Sequence, residues 1–297
     1  MDVAEIRENT MNTCADDQIC LNSAVHDCIA PLYESRHGEI FNQVEQDRIR
    51  DVLAYAAGQI LTGAPVRRVL DFGAGTGNLT RHLLPMNLEV VASDVSAGCL
   101  RELESSVAGS ERLECIVLNG RDLSQFADAS FDMVATYSVL HHVPDYLAVV
   151  DEFIRVVKPG GVIYIDHEVC PAYWEERPEY REYCRELAGR QLVEQESVWQ
   201  YLSGIFQRKN WWRSLGPMLW LRFNRLADEG DIHVHPEDHI EWEQIRSQLD
   251  GSCELLLEKD YLVCREKTFP APPVWSRWHT RCCDMRLMIA RKKPVSA

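Results

Sequence analysis

Residues 69–77 read VLDFGAGTG, a short apolar run that ends in a turn rich in glycine. Glycine allows the backbone to turn sharply and lets a ligand approach closer than a Cβ atom would permit. A helix is predicted directly after the turn, over residues 79–84, and the N–H groups of its first turn have no partner within the helix. The stretch therefore predicts a strand, a ligand-binding turn and a helix. The predicted turn residues are Gly73, Ala74, Gly75 and Gly77.

Strands and helices alternate around this turn. Short apolar runs predict strands at 66–72, 88–93, 113–118, 131–137 and 162–165, and periodic apolar positions predict helices at 40–60, 99–107 and 146–157. Alternation at this spacing is typical of a parallel sheet with right-handed crossovers. Residues 255–264 and 284–290 read as two returning strands. We therefore expect an α/β fold with a doubly wound, mostly parallel, seven-stranded sheet of the Rossmann-like type.

The alternation of strands and helices stops between residues 170 and 250. This stretch predicts a helical lid inserted after the fifth strand. The expected division is an N-terminal helical cap at 1–62, a cofactor-binding core at 63–169, the lid at 170–250 and the returning strands at 251–297. Aromatic residues crowd the lid, which suits an apolar ligand pocket or, equally, a core of the lid itself. They are Tyr173, Trp174, Tyr180, Tyr183, Trp199, Tyr201, Phe206, Trp211, Trp212, Trp220 and Phe223.

One segment of the lid, residues 205–225, is basic and contains no acidic residue. Its cations are Arg208, Lys209, Arg213, Arg222 and Arg225. Three interpretations remain open: peripheral contact with an anionic membrane, a site for an anionic amphiphile, or a solvated face that pairs with neighbouring acids.

The whole chain is acidic, with 46 Asp and Glu residues against 31 Lys and Arg residues and a net charge of −15. Such a charge repels phosphate backbones, so duplex nucleic acid is not expected as the main partner. The N-terminus lacks the basic start and apolar run of a signal peptide, and no run of 18 apolar residues occurs. We expect a cytoplasmic protein.

An acidic residue, Asp94, ends the second predicted strand, where a carboxylate would accept the ribose hydroxyls of an adenine nucleoside. A dinucleotide-binding fingerprint would have glycine at position 78, but this chain has Asn78. Asp71, just before the turn, would repel a pyrophosphate and attract a sulfonium cation. The sequence therefore favours S-adenosyl-L-methionine over NAD as the cofactor.

Four motifs in order resemble the class I S-adenosylmethionine-dependent methyltransferases, in particular the ubiquinone/menaquinone-biosynthesis-like (type 11) branch. They are VLDFGAGTG, VVASDVS, SFDMVATYSVLHHVPD and RVVKPGGVIYIDHE, within about residues 30–170. The resemblance implies that Asp71 and the glycines hold the methionine end of the cofactor. Asp94 and Val95 would hold its ribose, and Asn119, or Asp122 in another register, its adenine. The remaining implied cofactor contacts are Tyr33, His37, Tyr137 and Ser138.

Candidate catalytic residues follow the fourth and fifth predicted strands. Ligands in such sheets bind outside the carboxyl ends of the strands, and histidine is suited to general-base catalysis near neutral pH. The candidates are His141, His142, His167 and Glu168. The alternative for each histidine is a packing or capping role.

The segment DIHVHPEDHIEW, residues 231–242, carries His233, His235 and His239 together with the acids Asp231, Glu237 and Asp238. Such a cluster suits zinc, but we favour a reading without metal, in which residues 236–238 open a helix and the histidines are solvated or line a pocket. The chain also has 11 cysteines, which we interpret as ordinary thiols. The alternative is a thiol-dependent methyltransferase for a metalloid that uses Cys14, Cys20 and Cys28.

Taken together, the sequence predicts methyl transfer to an oxygen or carbon atom of a small apolar or amphipathic metabolite. A quinone, an isoprenoid, a lipid or another secondary metabolite would fit this description. The alternatives are an RNA or protein methyltransferase and a protein that binds S-adenosylmethionine without catalysis.

Overall fold

The computed structural model describes residues 3–175, 177–193, 230–266 and 272–294. Its strands are β1 (Arg68–Phe72), β2 (Glu89–Asp94), β3 (Leu113–Val117), β4 (Phe131–Tyr137), β5 (Val157–Val169), β6 (Val234–His235), β7 (Asp238–His239), β8 (Cys253–Tyr261) and β9 (Met285–Lys292). Its α-helices are α1 (Val3–Ile29), α2 (Tyr33–Arg36), α3 (Gln43–Gly58), α4 (Thr80–Leu83), α5 (Ala97–Ser106), α6 (Tyr146–Val156), α7 (Pro171–Trp174), α8 (Pro178–Val193), α9 (Trp242–Ser252) and α10 (Pro273–Trp278). Short 3₁₀ helices occupy Ala30–Leu32, Leu84–Met86 and Leu140–His142.

The main sheet has seven strands in the order β3-β2-β1-β4-β5-β9-β8. The pairs among β1 to β5 are parallel, whereas β9 runs antiparallel to both β5 and β8. The predicted doubly wound sheet with two returning strands is confirmed. The carboxyl ends of β1, β2, β4 and β5 consequently meet at one edge, where the residues that follow them can form a site.

Helices cover both faces of the sheet because its central strands are apolar on both sides. In β1, Val69 faces the layer that contains Ile49 and Leu53 of α3. The next residue, Leu70, faces the opposite layer, which contains Phe153 of α6. The same alternation runs through β4 and β5, so the core consists of two apolar layers with the sheet between them.

Helix α9 belongs to one of these layers. Its residues Trp242, Ile245 and Leu249 are buried in the same cluster as α6, and the Trp242 indole N–H donates to the Val169 carbonyl over 2.8 Å. The C-terminal part of the predicted 170–250 lid is thus packed on the sheet. Of the aromatic lid residues, Trp199 to Phe223 lie outside the described residues. Tyr183 is buried in a small separate cluster with Leu187, Leu262, Val274, Trp278 and Cys282.

Two local predictions were wrong. Strand β5 begins at Val157 and reaches Val169, well beyond the predicted 162–165, because Val157 pairs with β4 and the C-terminal part, as far as Val169, pairs with β9. Residues 236–238 do not open a helix. They belong to a hairpin in which Val234 pairs with His239 and His235 pairs with Asp238, so Pro236 and Glu237 form the turn. Proline favours such a corner because its φ is fixed.

Helix α1 is fastened to the loops at the carboxyl edge. The Asp27 carboxylate accepts hydrogen bonds from the Ser96 hydroxyl and the Gly98 N–H, each over 2.6 Å. The Ser23 hydroxyl donates to the Val95 carbonyl over 3.0 Å. The N-terminal segment therefore closes over the site edge and is held there by polar contacts.

A buried ion network ties α3 to the sheet near the same edge. The Arg48 guanidinium donates to the carboxylates of Glu45, over 2.5 Å, and Asp166, over 3.0 Å. It also donates to the Tyr261 hydroxyl, over 2.9 Å. The Glu45 and Asp166 side chains are 2% and 0% exposed, so their charges depend on Arg48 for compensation.

The structure bears on the membrane question only in part. No helix among the described residues is both long and apolar enough to cross a bilayer. The basic segment 205–225 lies outside the described residues, so the predicted peripheral contact stays a prediction.

Candidate functional site

A cavity lies at the carboxyl edge between β1, β2, β4 and α1, and about 920 Å³ of empty space lies within it when the solvent at its open side is included. Nine of the predicted site residues line it: Tyr33, Gly73, Ala74, Gly75, Asp94, Val95, Tyr137, Ser138 and His142. The sequence motifs therefore do converge on one cavity.

The three glycines of the turn all have positive φ, but they serve two purposes. A Cβ atom on Gly73 would lie 2.4 Å from a methyl group of Val139, and one on Gly77 would lie 2.3 Å from a methyl group of Leu103. A Cβ atom on Gly75 would meet no protein atom within 4 Å. Gly73 and Gly77 are thus required for packing, whereas Gly75 keeps the cavity floor free for a ligand.

Asp94 lines the cavity at the end of β2. One of its oxygens accepts the Gly75 N–H and the other accepts the Ser96 N–H, both over 2.8 Å. Burial raises the pKa of the Asp94 carboxyl group, and these hydrogen bonds act in the opposite direction. The carboxylate therefore links the glycine turn to the loop after β2.

Asp71, also predicted to hold the cofactor, does not line the cavity. It is 1% exposed and accepts a hydrogen bond from the Thr80 hydroxyl over 2.6 Å. Burial raises the pKa of Asp71 to about 7. In this structure the Asp71 carboxylate attaches helix α4 to β1. Asp71 would influence a bound ligand only indirectly, by fixing the glycine turn that follows it.

The two candidates for the adenine contact also lie off the cavity. Asn119 accepts the N–H groups of Arg121 and Asp122 and donates to the Asp122 carboxylate over 2.9 Å. This is a local turn in which the two side chains satisfy each other. Leu118 and Gly120 line the cavity in their place.

Tyr33 and His37, the two N-terminal residues that the resemblance implies as cofactor contacts, lie in different positions relative to the cavity. Tyr33 lines the cavity, and the His37 ring packs on it at 4.3 Å while its Nδ1 lies 3.1 Å from the Glu39 carboxylate. His37 itself does not line the cavity. Three residues of α1 do, and sequence reasoning missed them: Ile19, Asn22 and His26. Their spacing of three and four residues along one helix face was the signal that could have found them.

His141 and Glu168 form a pair beside the cavity. One Glu168 oxygen accepts the N–H groups of Val139 and Leu140, over 2.9 and 2.7 Å. The other lies 2.8 Å from His141 Nδ1. Burial lowers the pKa of His141, but the Glu168 carboxylate outweighs this and raises it above its usual value. Glu168 is therefore fixed by the backbone and in turn fixes the His141 ring.

His142 lies next to this pair and lines the cavity. Burial, followed by the neighbouring His141, lowers the pKa of His142 well below its usual value, so the ring is neutral at physiological pH. The Asp231 carboxylate lies 3.2 Å from His142 Nδ1 and 3.7 Å from His141 Nε2. Asp231, more than 80 residues away in sequence, was predicted only as part of the 231–242 cluster and not as a neighbour of His141 and His142.

His167 lies behind two residues that line the cavity. Its ring stacks on Tyr137 at 4.6 Å and its Nδ1 lies 3.1 Å from the Ser138 hydroxyl. His167 and Ser138 both have positive φ, of 64° and 59°, which is unusual for residues other than glycine and tends to mark functional sites. Burial lowers the pKa of His167 well below its usual value. His167 does not line the cavity.

The histidines of the 231–242 segment do not converge among the described residues. His233 has both ring nitrogens occupied, by the Asp238 carboxylate and by the Val143 carbonyl, and His239 lies 3.5 Å from Glu241. The expectation of no metal at these three residues stays a prediction. The described cysteines are free thiols, with Cys20 exposed and Cys28 half-buried, and the Cys14 side chain lies outside the described residues.

Comparisons with known proteins agree on one family. Residues 70–165 match the model of a methyltransferase domain. The demethylmenaquinone methyltransferase of Clavibacter sepedonicus is 31% identical over 181 residues, which are 57% of this chain and 74% of the relative. The ubiquinone biosynthesis O-methyltransferase of Xanthomonas campestris is 34% identical over 118 residues, which are 38% of this chain and 47% of that relative.

Solved structures agree on the fold. The putative methyltransferase crystallised with the Trm112 activator of Haloferax volcanii superimposes with a TM-score of 0.51 at 17% identity, covering 90% of this chain and 97% of its own. The cyclase SpnF superimposes with a TM-score of 0.55 at 16% identity, covering 92% and 95%. Likenesses at this identity concern the fold alone, whereas the sequence relatives concern the family. The chain belongs to the class I S-adenosylmethionine-dependent methyltransferases.

Proposed function

We propose that this methyltransferase transfers a methyl group to an oxygen or carbon atom of a small apolar or amphipathic acceptor. One observation carries the proposal: Gly75, Asp94 and His142 line the same cavity. The His142 ring in turn packs against His141, which is paired with Glu168. One end of this cavity suits a nucleoside, and the other presents imidazole rings. Both ends open on the same carboxyl edge of the sheet.

The residues present fit S-adenosylmethionine. Gly75 leaves open the space that a Cβ atom would fill, Asp94 presents a carboxylate there, and Leu118 offers an apolar wall. When bound, the cofactor supplies a methyl group on a cationic sulfur. The protein has then to orient the acceptor, exclude water and remove any proton that the acceptor loses.

Apolar side chains also line the cavity. Ile40, Phe41 and Val143 contribute to its walls, which suits a hydrophobic ring or chain better than a nucleotide. Two relatives carry names from menaquinone and ubiquinone biosynthesis. A quinone precursor with a free ring hydroxyl or ring carbon is therefore our preferred acceptor.

His141 is the proposed catalytic residue, with Glu168 as a positioning residue. Because Glu168 engages Nδ1, His141 directs Nε2 toward Asp231 and His142 at the cavity. His142 lines the cavity and completes the polar end. His167 acts as a positioning residue that holds Tyr137 and Ser138, both of which line the cavity.

The function is tested by incubating the purified chain with S-adenosylmethionine that carries a deuterated methyl group. A demethylmenaquinone that has first been reduced chemically to its quinol, total RNA and a protein extract are offered separately. We expect a mass gain of one labelled methyl group in the quinone. Label in RNA or protein instead would favour the rival substrates, and cofactor binding without any labelled product would favour a non-catalytic binding protein.

The role of Gly75 gives a first prediction. Asparagine tolerates positive φ, so Gly75→Asn keeps the turn but places a side chain in the cavity. We expect the affinity for S-adenosylmethionine to fall about 100-fold, or about 2.7 kcal/mol, as measured by calorimetry. Gly63→Asn is the matched control, because Gly63 also has positive φ and open space but lies off the cavity. Equal affinities in the two variants would show that Gly75 does not form the cofactor site.

A further inference from the structure

Three possible metal ligands meet at the polar end of the cavity: His141 Nε2, His142 Nδ1 and a carboxylate oxygen of Asp231, all within 4.8 Å of one another. The Asp231 oxygen lies 3.7 Å from the first nitrogen and 3.2 Å from the second. In a tetrahedral site with bonds of about 2.0–2.1 Å, neighbouring ligand atoms lie about 3.3 Å apart. Two of the three edges, those from Asp231 to each histidine, are therefore already close to the spacing in a tetrahedral site, and the third is no longer than 4.8 Å.

The two rings present a nitrogen each toward Asp231. Glu168 accepts the Nδ1–H of His141, so the lone pair of the neutral ring is on Nε2. The buried Nδ1 of His142 has no hydrogen-bond partner among the described residues and lies 3.2 Å from the Asp231 carboxylate. Metal-binding histidines commonly donate their second N–H to a carboxylate or a backbone carbonyl in this way.

Hydrogen bonds also hold the backbone on both sides of Asp231, the third ligand. The N–H groups of Ile232 and His233 both donate to the His141 carbonyl, over 3.0 and 3.2 Å, so the residues after Asp231 are attached to the same turn as the histidines. On the other side, Gln18 of α1 donates to the Gly230 carbonyl over 2.8 Å. The segment around Asp231 is thus anchored from two directions.

We propose that His141, His142 and Asp231 bind one divalent transition-metal ion of the zinc class, with an open coordination position toward the cavity. The proposal rests on the methyl-transfer function and adds to it. Three protein ligands and one open position are typical of catalytic rather than structural zinc sites. An ion there would bind an acceptor oxygen and favour its ionised form, which is the better nucleophile for a methyl group.

The test uses Co²⁺ as a spectroscopic probe and Zn²⁺ as its competitor. The full chain is stripped with a chelator and titrated with CoCl₂ while the visible absorption of tetrahedral Co²⁺ is recorded. We expect saturation at one equivalent and displacement by Zn²⁺. In His142→Ala and Asp231→Asn we expect affinity to fall at least tenfold, whereas His235→Ala, an exposed histidine of the nearby hairpin, should bind as the wild type does.

Calorimetry with S-adenosylmethionine on the same proteins separates the two proposals and checks that the variants are folded. Wild-type protein that binds the cofactor but takes up no Co²⁺ would overturn the cation site. So would His142→Ala and Asp231→Asn proteins that bind both the cofactor and Co²⁺ as the wild type does. In either case the methyl-transfer function stands. Methylation of demethylmenaquinone should drop at least tenfold in the stripped enzyme and return with Zn²⁺. An unchanged rate would overturn the ion's part in the reaction.

Discussion

His141→Ala should lower kcat for methyl transfer by about 10²–10⁴-fold, the usual range for losing a group that assists proton removal. His141 is the only predicted catalytic histidine that Glu168 orients directly among the described contacts, over 2.8 Å. Because its ring lies outside the glycine turn, affinity for S-adenosylmethionine should change less than about threefold. Single-turnover assays with the deuterated cofactor and demethylmenaquinone measure the rate, and calorimetry measures the affinity.

His235→Ala is the control for this variant, since His235 is exposed and lies in the β6–β7 hairpin. It should retain wild-type kcat. Glu168→Gln should reproduce part of the loss, because an amide cannot accept from both the backbone and His141 as the carboxylate does. A His141→Ala enzyme with wild-type kcat would remove His141 from the reaction.

Arg48→Met should destabilise the fold by about 3–5 kcal/mol, because it leaves two buried carboxylates without their cation. Methionine keeps most of the side-chain volume, so the loss reports mainly on charge and hydrogen bonding. Arg48 bonds Glu45, Asp166 and Tyr261, and so joins α3, β5 and β8. Urea unfolding followed by circular dichroism gives the free energy of unfolding.

Arg50→Met on the same helix provides the matched control. Arg50 pairs with Asp47 and Asp51, but its side chain is 51% exposed, and exposed pairs of this kind contribute little because solvent screens them. We expect no measurable change in the free energy of unfolding. Similar losses in the two variants would mean that the buried network around Arg48 contributes no more than a surface pair.

The sheet could be predicted because its signals are local. Each strand of the core is a short apolar run, and the β4 bounds predicted from sequence, 131–137, are those observed. Where prediction failed, a distant partner decided the outcome: β5 is long because β9, over 100 residues away, pairs with it. The hairpin at Val234–His239 was misread because proline followed by acids is found at both turns and helix starts.

That the glycine turn and Asp94 line one cavity could also be predicted, because each is contiguous with a strand. The exceptions have physical causes. Asp71 binds Thr80, and Asn119 closes a turn with Asp122, so these side chains are satisfied away from the cavity. Asp231 reaches the site only through long-range packing, whereas the α1 residues are spaced three and four apart on one helix face, a signal that could have found them.

The attachment of helix α1 has a consequence for turnover. This helix lines the cavity with Ile19, Asn22 and His26, and the contacts of Ser23 and Asp27 fasten it to the loop after Asp94. Exchange of a nucleoside bound there therefore depends on how far α1 can move away from the sheet, and we expect weaker contacts at Ser23 and Asp27 to speed that exchange.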